Sequence, residues 1–197
     1  MRFPFANLVT ATALALATLP GAATAAEDIA ALSKETREAA QPLLAKVVGT
    51  VKTALQTNSA HETVDICRDK LPGMVKEARE KTGWEIRRVS LKLRNPERGT
   101  PDAWEAMVLA EFDRRAAAGE KRDALEYAEV QPTPGGKVFR YMKALPIQET
   151  CLTCHGDPAG LSPELKAKLA TLYPNDQATG YKIGDIRGAL TVKRALP

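Results

Sequence analysis

The spacing of apolar residues predicts two long helices in the first part of the chain. From Glu27 to Thr57, apolar side chains recur at steps of three and four residues, the period of an amphipathic helix. A second helix is expected from about Glu62 to Lys81, with Cys67 on its apolar face. Pro72 should kink or divide this second helix, because proline lacks the backbone N–H that a helix needs.

Shorter stretches of alternating apolar and polar residues predict strands in the remainder. Strands are expected over residues 84–94, 125–130, 138–144 and 188–193. The middle two should pair as an antiparallel hairpin. Thr100 and Pro101 should start a helix that ends near Ala118, and Ser162 should start a shorter one that ends near Tyr173. Helices followed by strands indicate an α+β protein with an antiparallel sheet and long N-terminal helices.

The first 25 residues have the pattern of a secretory signal peptide. Arg2 precedes a short apolar stretch, and Ala23-Thr24-Ala25 offers a small-residue cleavage site. A retained N-terminal anchor is the alternative, although the apolar stretch is short for a membrane span. No later segment resembles a span, so we expect an exported, periplasmic bacterial protein. Its single domain would cover 26–197, with 26–82 helical and 83–197 holding the sheet.

Charge and cysteine content narrow the chemistry. The net charge of +4 is spread along the chain with mixed signs, which does not favour a nucleic-acid partner. The chain has three cysteines and two histidines. In an oxidising compartment, an odd cysteine count leaves one thiol that needs a ligand role, a partner or burial.

Cys151-Leu152-Thr153-Cys154-His155 is a C-x-x-C-H motif, the attachment pattern of haem c. The two thiols can add to the two vinyl groups of one porphyrin, and His155 is then placed to ligate the iron. Covalent attachment takes place outside the cytoplasm, in agreement with the predicted signal peptide. We therefore predict one covalently attached haem c, held by Cys151 and Cys154, with His155 as the proximal ligand.

Two other interpretations of the motif are weaker. A thioredoxin-like pair would start a helix in a βαβ unit, and no such unit surrounds these cysteines. A zinc site could use Cys67, Cys151, Cys154 and a histidine, but the adjacent Cys154 and His155 would rarely both reach one tetrahedral ion.

The second axial ligand is open at this point. No methionine, histidine or cysteine follows His155, so a side-chain ligand of those types must come from upstream. The candidates are His61, Cys67, Met74, Met107 and Met142. Six basic residues on predicted strands are candidates for contacts with the haem propionates: Arg87, Arg88, Lys92, Arg94, Arg140 and Lys143.

The chain resembles a bacterial family of c-type haem sensor domains with a PAS-like core, long catalogued only as a domain of unknown function. The resemblance covers nearly the whole mature chain, although Val89 stands where the family pattern has threonine. The matching stretches are 64–67, 87–96, 101–105, 141–147, 151–156 and 184–189.

The resemblance implies a PAS-like antiparallel sheet with flanking helices and a cysteine as distal iron ligand, which here is Cys67. The unpaired third cysteine and its apolar helix face agree with that role. We expect redox or small-ligand sensing, with a small gas as a conceivable ligand and an unidentified signalling or redox protein as partner. The alternative is a periplasmic electron-transfer cytochrome c. An enzyme is not expected, and the N-terminal helix could form a homodimer.

Overall fold

The fold combines helices with one antiparallel sheet. The computed structural model describes the backbone of residues 21–196 and the side chains of residues 29–196. Most of the predicted signal peptide, 1–25, lies outside the described residues. The helices are α1 (Gly21–Thr57), α2 (Ala60–Thr82), α3 (Pro96–Gly99), α4 (Ala103–Ala117), α5 (Glu149–His155) and α6 (Pro163–Leu172). The strands are β1 (Glu85–Val89), β2 (Glu126–Thr133), β3 (Gly136–Pro146) and β4 (Ile186–Leu196).

The sheet has the strand order β1-β4-β3-β2, and each neighbouring pair is antiparallel. The predicted hairpin is present as β2 and β3, with Ala128 opposite Tyr141. The last strand, β4, lies between β1 and β3 and pairs Arg88 of β1 with Leu190. The predicted α+β class with an antiparallel sheet is confirmed.

Helices cover both faces of the sheet. Along β3, side chains alternate, so Phe139 and Tyr141 face α1 while Met142 and Ala144 face α4. The α1 face includes Ala40, Leu43, Met74, Ala78, Ile86, Leu190 and Val192. The α4 face includes Val89, Val108, Leu109, Phe112, Ala116 and Ala189. Among the described residues, no helix is long and apolar enough to cross a membrane.

The helix that carries Cys67 is continuous. Ser59 caps the start of α2 through a capping box with Glu62, and Gly83 ends the helix with a left-handed φ of 71°. Of the two predicted effects of Pro72, a kink or a division, division does not occur, because Pro72 lies inside the continuous α2. Packing of α2 against α1 and the sheet compensates for the hydrogen bond that Pro72 removes.

Strand β1 is shorter than the predicted strand over 84–94. After Val89, the N–H of Ser90 donates to the Gly99 carbonyl at 3.1 Å, and the Ser90 hydroxyl donates to the Arg187 carbonyl at 2.8 Å. The carbonyl of Leu93 accepts from the Gln177 N–H at 2.7 Å. Contacts distant in sequence therefore draw 90–95 out of the sheet, despite the alternation of apolar residues.

Helix α4 begins later than predicted. Asp102, and not Thr100, is its N-cap, because the Asp102 carboxylate accepts from the Glu105 N–H at 2.9 Å. In turn, the Glu105 carboxylate accepts a hydrogen bond from the Asp102 N–H at 2.8 Å. Thr100 instead follows α3, where its hydroxyl donates to the Pro96 carbonyl at 2.7 Å.

Candidate cofactor site

The C-x-x-C-H motif forms the helix α5, which follows β3 after a two-residue link. The link is anchored by Ile147, whose N–H donates to the Asp185 carbonyl at 2.8 Å. Cys151 and Cys154 are free, partly buried thiols three positions apart. Residues at this spacing lie on one side of a helix, one turn apart, so α5 presents both thiols to the same region.

His155 ends α5, and its ring is held in one orientation. Its Nδ1 lies 2.6 Å from the carbonyl oxygen of Ala178. A carbonyl can only accept, so the proton belongs on Nδ1 and the lone pair on Nε2 is free for a metal. The ring of Tyr181 packs edge-on at 6.3 Å between centroids, and the Tyr181 N–H donates to the His155 carbonyl at 3.0 Å.

The electrostatic surroundings keep this imidazole neutral. Desolvation lowers the pKa of His155 well below its ordinary value, and the positive charges of Arg187, Arg94 and Arg88 lower it further. The hydrogen bond to Ala178 opposes this shift but is the smallest contribution. A neutral imidazole with a free Nε2 is the form that coordinates iron.

Gly156 allows a close packing at the end of α5. A Cβ at this position would lie 2.6 Å from the carbonyl oxygen of Leu152. The Gly156 carbonyl also accepts from the Gly180 N–H at 2.7 Å. The loop 176–181 is thereby fixed against the motif, and this loop supplies the Ala178 carbonyl.

Arg94 and Asp176 connect this loop to α5. The Arg94 guanidinium donates to the Cys154 carbonyl at 2.7 Å and to the Asp176 carboxylate at 3.0 Å. The other Asp176 oxygen accepts from the Ala178 N–H at 2.8 Å. Asp176 therefore fixes, through the Ala178 N–H, the residue whose carbonyl orients the His155 ring. Sequence reasoning missed Asp176 and Ala178, since nothing in their local sequence marks these roles.

Cys67 lies on α2, which packs beside the motif helix α5. Val64, one turn earlier in α2, is in the same apolar cluster as Cys154 and the α6 residues Leu165 and Leu169. Desolvation raises the pKa of Cys67 to about 11, with a further increase from Cys154, while Arg94 and Arg88 act in the opposite direction. The influence of Cys154 on Cys67, together with the packing of Val64 and Cys154 in one cluster, indicates that α2 brings Cys67 near the motif helix.

The other four upstream candidates have different surroundings. His61 lies at the start of α2, where its Nδ1 is 3.0 Å from the Ser59 hydroxyl. Met74 packs on the α1 face of the sheet, whereas Met142 is buried on the α4 face. Met107 belongs to α4 and is 50% exposed. Of the five candidates, the structure brings Cys67 to the motif.

The two competing interpretations of the motif gain no support. Within residues 29–196, no group of three or more His, Cys, Asp and Glu side chains is arranged to hold a metal ion. The described sheet is antiparallel throughout, so α5 is not the crossover helix of a βαβ unit.

The six basic candidates are not equivalent. Arg87 pairs with Glu105, Arg140 with Asp102, and Lys143 with Glu126. Lys92 donates to the Thr179 carbonyl at 2.6 Å and lies over the Tyr181 ring. Arg88 and Arg94 lie near the thiols. Arg187, which precedes the predicted final strand and was not among the six candidates, lies near His155.

Two surface grooves lie near Tyr181. One, of about 790 Å³, is lined by the motif residues Leu152 and Thr153 together with Ile183. The other, of about 340 Å³, lies between α4 and the start of β4. Tyr181 lines both grooves, and its ring packs edge-on against that of His155.

Fold and site together define an α+β protein with an antiparallel sheet between helices and a C-x-x-C-H helix after the third strand. The chain belongs to the Tll0287-like family, which matches residues 18–194. The predicted resemblance to a bacterial haem-protein family is confirmed.

One solved structure shows the same fold. The crystal structure of the cyanobacterial heme-protein Tll0287 aligns with a TM-score of 0.63 and 24% sequence identity. The alignment covers 83% of this chain and 94% of that chain. No curated protein matches the sequence.

Proposed function

We propose that this protein is an exported, single-haem c-type protein that senses redox state or a small ligand. The approach of Cys67, on α2, to the motif helix α5 is the observation that carries the proposal. The heme-protein Tll0287 shares the fold, and the C-x-x-C-H motif specifies attachment through Cys151 and Cys154. A PAS-like core and a periplasmic location are parts of the same proposal.

The donor set fits haem c. Cys151 and Cys154 supply two thiols one turn apart, His155 supplies a neutral imidazole with a free Nε2, and Cys67 supplies a sulfur from a separate helix. Bound haem would supply an iron centre that changes oxidation state and can bind small ligands. In this assignment His155 is the proximal ligand and Cys67 the distal one.

The chain's own residues would position and tune the site. Ala178 orients the His155 ring, and Asp176 fixes the Ala178 peptide. A thiolate ligand favours ferric iron, so the potential should lie below that of a cytochrome with methionine in that place. Burial disfavours the thiolate form of Cys67, and Arg94 and Arg88 partly offset this.

A distal ligand from α2 links the iron to the rest of the molecule. α2 packs on α1, on α6 and on β1, so loss of the Cys67 bond on reduction would free one contact of this helix. A change in ligation would thus be coupled to the packing of the long N-terminal helices. A separate signalling protein, or a second copy of the chain bound through α1, would detect that change.

The alternative is an electron carrier with an unidentified redox partner. A carrier keeps its ligands in both oxidation states, whereas the sensor loses or exchanges Cys67. The two functions therefore differ in the ferrous state.

The test compares wild type, Cys67→Ala and Met74→Leu, all produced in a host that matures cytochromes c. Mass spectrometry should show one covalent haem in each. The ferric spectrum should change in Cys67→Ala and stay the same in Met74→Leu, a control on the same helix. Ferrous wild type should bind carbon monoxide if Cys67 is displaced on reduction.

Apoprotein alone after full maturation would refute haem attachment. A Cys67→Ala ferric spectrum identical to that of wild type would refute the distal ligand. A ferrous wild type that stays six-coordinate and ignores carbon monoxide would favour the carrier.

A further inference from the structure

The region around the C-x-x-C-H motif holds more positive than negative charge. Arg88, Arg94 and Arg187 lie close together around His155. The positive charge of each lowers the pKa of His155, and Arg88 and Arg94 also lower that of Arg187. Asp176 is the carboxylate that pairs within this group, and its partner is Arg94. Two guanidinium charges, those of Arg88 and Arg187, are thus left without an anionic partner among the described residues.

Arg187 is 7% exposed and is bound only by neutral acceptors. One of its terminal nitrogens donates to the Ser90 hydroxyl at 2.8 Å and to the Lys92 carbonyl at 3.1 Å. Its Nε is buried and has no hydrogen-bond partner. Since arginine does not lose its proton in proteins, this side chain contributes a full charge to the interior.

Arg88 is less constrained. Its guanidinium makes no hydrogen bond or ion pair with any described residue, whereas that of its neighbour Arg87 is paired with Glu105. Arg88 is accessible to solvent, yet desolvation lowers its pKa. Because Arg88 is both accessible to solvent and surrounded by protein, we infer that it lines a depression in the surface.

The depression is next to the cysteines. The charge of Arg88 is felt by the thiols of Cys67 and Cys151, which lie on different helices, and by Tyr181. In the alternating pattern of β1, Ile86 faces α1 and Val89 faces α4, which places Arg88 on the same face as Ile86. Arg88 therefore enters the region between α2 and α5 from the sheet.

Unpaired charges at a partly desolvated site are costly unless an anion joins them. The cofactor assigned to this region carries two carboxylates, and the planar fork of an arginine matches a carboxylate with two parallel hydrogen bonds. We propose that Arg88 binds a haem propionate by an ion pair, with Arg187 adding to the positive field that favours it. This inference rests on the proposed attachment of haem to Cys151 and Cys154.

The experiment observes the carboxylates directly. Cells are grown on aminolevulinate labelled with ¹³C at the carboxyl carbon, which places the label in the haem propionates. Infrared difference spectra of labelled and unlabelled holoprotein then identify the propionate bands. Wild type is compared with Arg88→Gln, Arg88→Lys and Lys182→Gln. Lys182 is an exposed cation in the loop that flanks α5, which makes it a matched control.

We expect the labelled band to shift in Arg88→Gln, to shift less in Arg88→Lys, and to stay in place in Lys182→Gln. The midpoint potential should fall in Arg88→Gln, because removal of a nearby positive charge favours ferric iron. An unchanged band in Arg88→Gln, or an equal shift in Lys182→Gln, would overturn the ion pair. If Arg88→Gln yields no holoprotein, an unchanged band in Arg88→Lys has the same meaning.

Failure of the proposed function looks different. In that case the mass of wild type itself shows no covalent haem, and no labelled band is present to compare.

Discussion

The Asp176 carboxylate accepts a hydrogen bond from the Ala178 N–H at 2.8 Å, and the carbonyl of the same Ala178 lies 2.6 Å from Nδ1 of His155. One residue of backbone therefore joins an acidic side chain to the imidazole. The same carboxylate binds Arg94, which also binds the carbonyl of Cys154. The motif helix and the histidine ring are thus aligned by a single connected network.

Asp176→Ala should disturb this network. The change removes the acceptor for the Ala178 N–H and leaves Arg94, 15% exposed, without its partner. We expect a loss of about 1–3 kcal/mol in the free energy of unfolding. In the holoprotein, the electron paramagnetic resonance spectrum should also change, because the His155 ring is no longer held in one orientation.

Asp157→Ala is the matched control, since Asp157 likewise accepts from the N–H two residues later, at 2.9 Å, without contacting Arg94. Equal spectral changes in both variants would show that Asp176 has no particular role in orienting His155.

Gly156→Ala should impair the motif helix. Its φ of −74° suits any residue, so backbone strain is not the reason. The added methyl would lie 2.6 Å from the Leu152 carbonyl oxygen, and this backbone atom cannot move without distorting α5. We expect about 1–3 kcal/mol of destabilisation, measured by urea denaturation, and a lower yield of covalent haem.

Gly73→Ala serves as the control for this change. Gly73 lies inside α2, where a Cβ would meet no atom within 4 Å. Alanine should stabilise the helix there by about 1 kcal/mol. If Gly156→Ala and Gly73→Ala change the stability equally, contact with Leu152 is not the cause of the effect at Gly156.

Glu105→Gln should be strongly destabilising. Glu105 is fully buried and pairs with Arg87, and its other oxygen accepts from the Thr191 hydroxyl at 2.9 Å. Removal of its charge leaves Arg87 and the nearby Arg140 without their buried anion, which costs about 3–5 kcal/mol. Thermal unfolding compares this variant with Glu111→Gln on the exposed side of α4, where we expect no comparable loss.

Acid should weaken the fold through Asp102. Desolvation raises the pKa of this carboxyl, but hydrogen bonds from the Glu105 N–H, Arg140 and Lys193 outweigh it and lower the pKa to about 2. In the unfolded chain the pKa is about 4. The folded state therefore binds the proton less tightly, and the stability from ionised Asp102 is complete above pH ~4 and lost towards pH ~2.

Asp102→Asn tests this directly, because asparagine keeps the N-cap but not the charge. Urea denaturation at several pH values should show wild type more stable at neutral pH and the difference shrinking as the pH falls from ~4 to ~2. A difference that is constant over this range would contradict the assignment.

Local sequence signals predicted a large part of the molecule. Ser162 and Pro163 start α6 as predicted, because their cap is formed within one helical turn. The β2–β3 hairpin is also local, although burial along β3 does not alternate, because helices cover both faces of the sheet. In the candidate site, the placement of Cys67 near the motif follows from its position on the apolar side of α2.

Contacts between distant residues account for most of what was missed. β1 ends at Val89 because Ser90 binds Arg187. The start of α4 is different, because Asp102 and Glu105 form a capping box within one turn, a local signal that the assignment of Thr100 as N-cap overlooked. Asp176 and Ala178 acquire their roles only when the loop docks on α5. Ser90 and Arg187, like His155 and Ala178, are far apart in sequence, so no local pattern could have identified these contacts.

The position of β4 affects the order in which the molecule can be assembled. β1 has β4 as its sheet neighbour, and β4 comes after the motif in the chain. In a chain whose β4 has not yet docked, the strand with Arg88 has no strand to pair with. If haem is attached as proposed, the strand that carries Arg88 is therefore fixed only after the segment with both attachment cysteines has been synthesised.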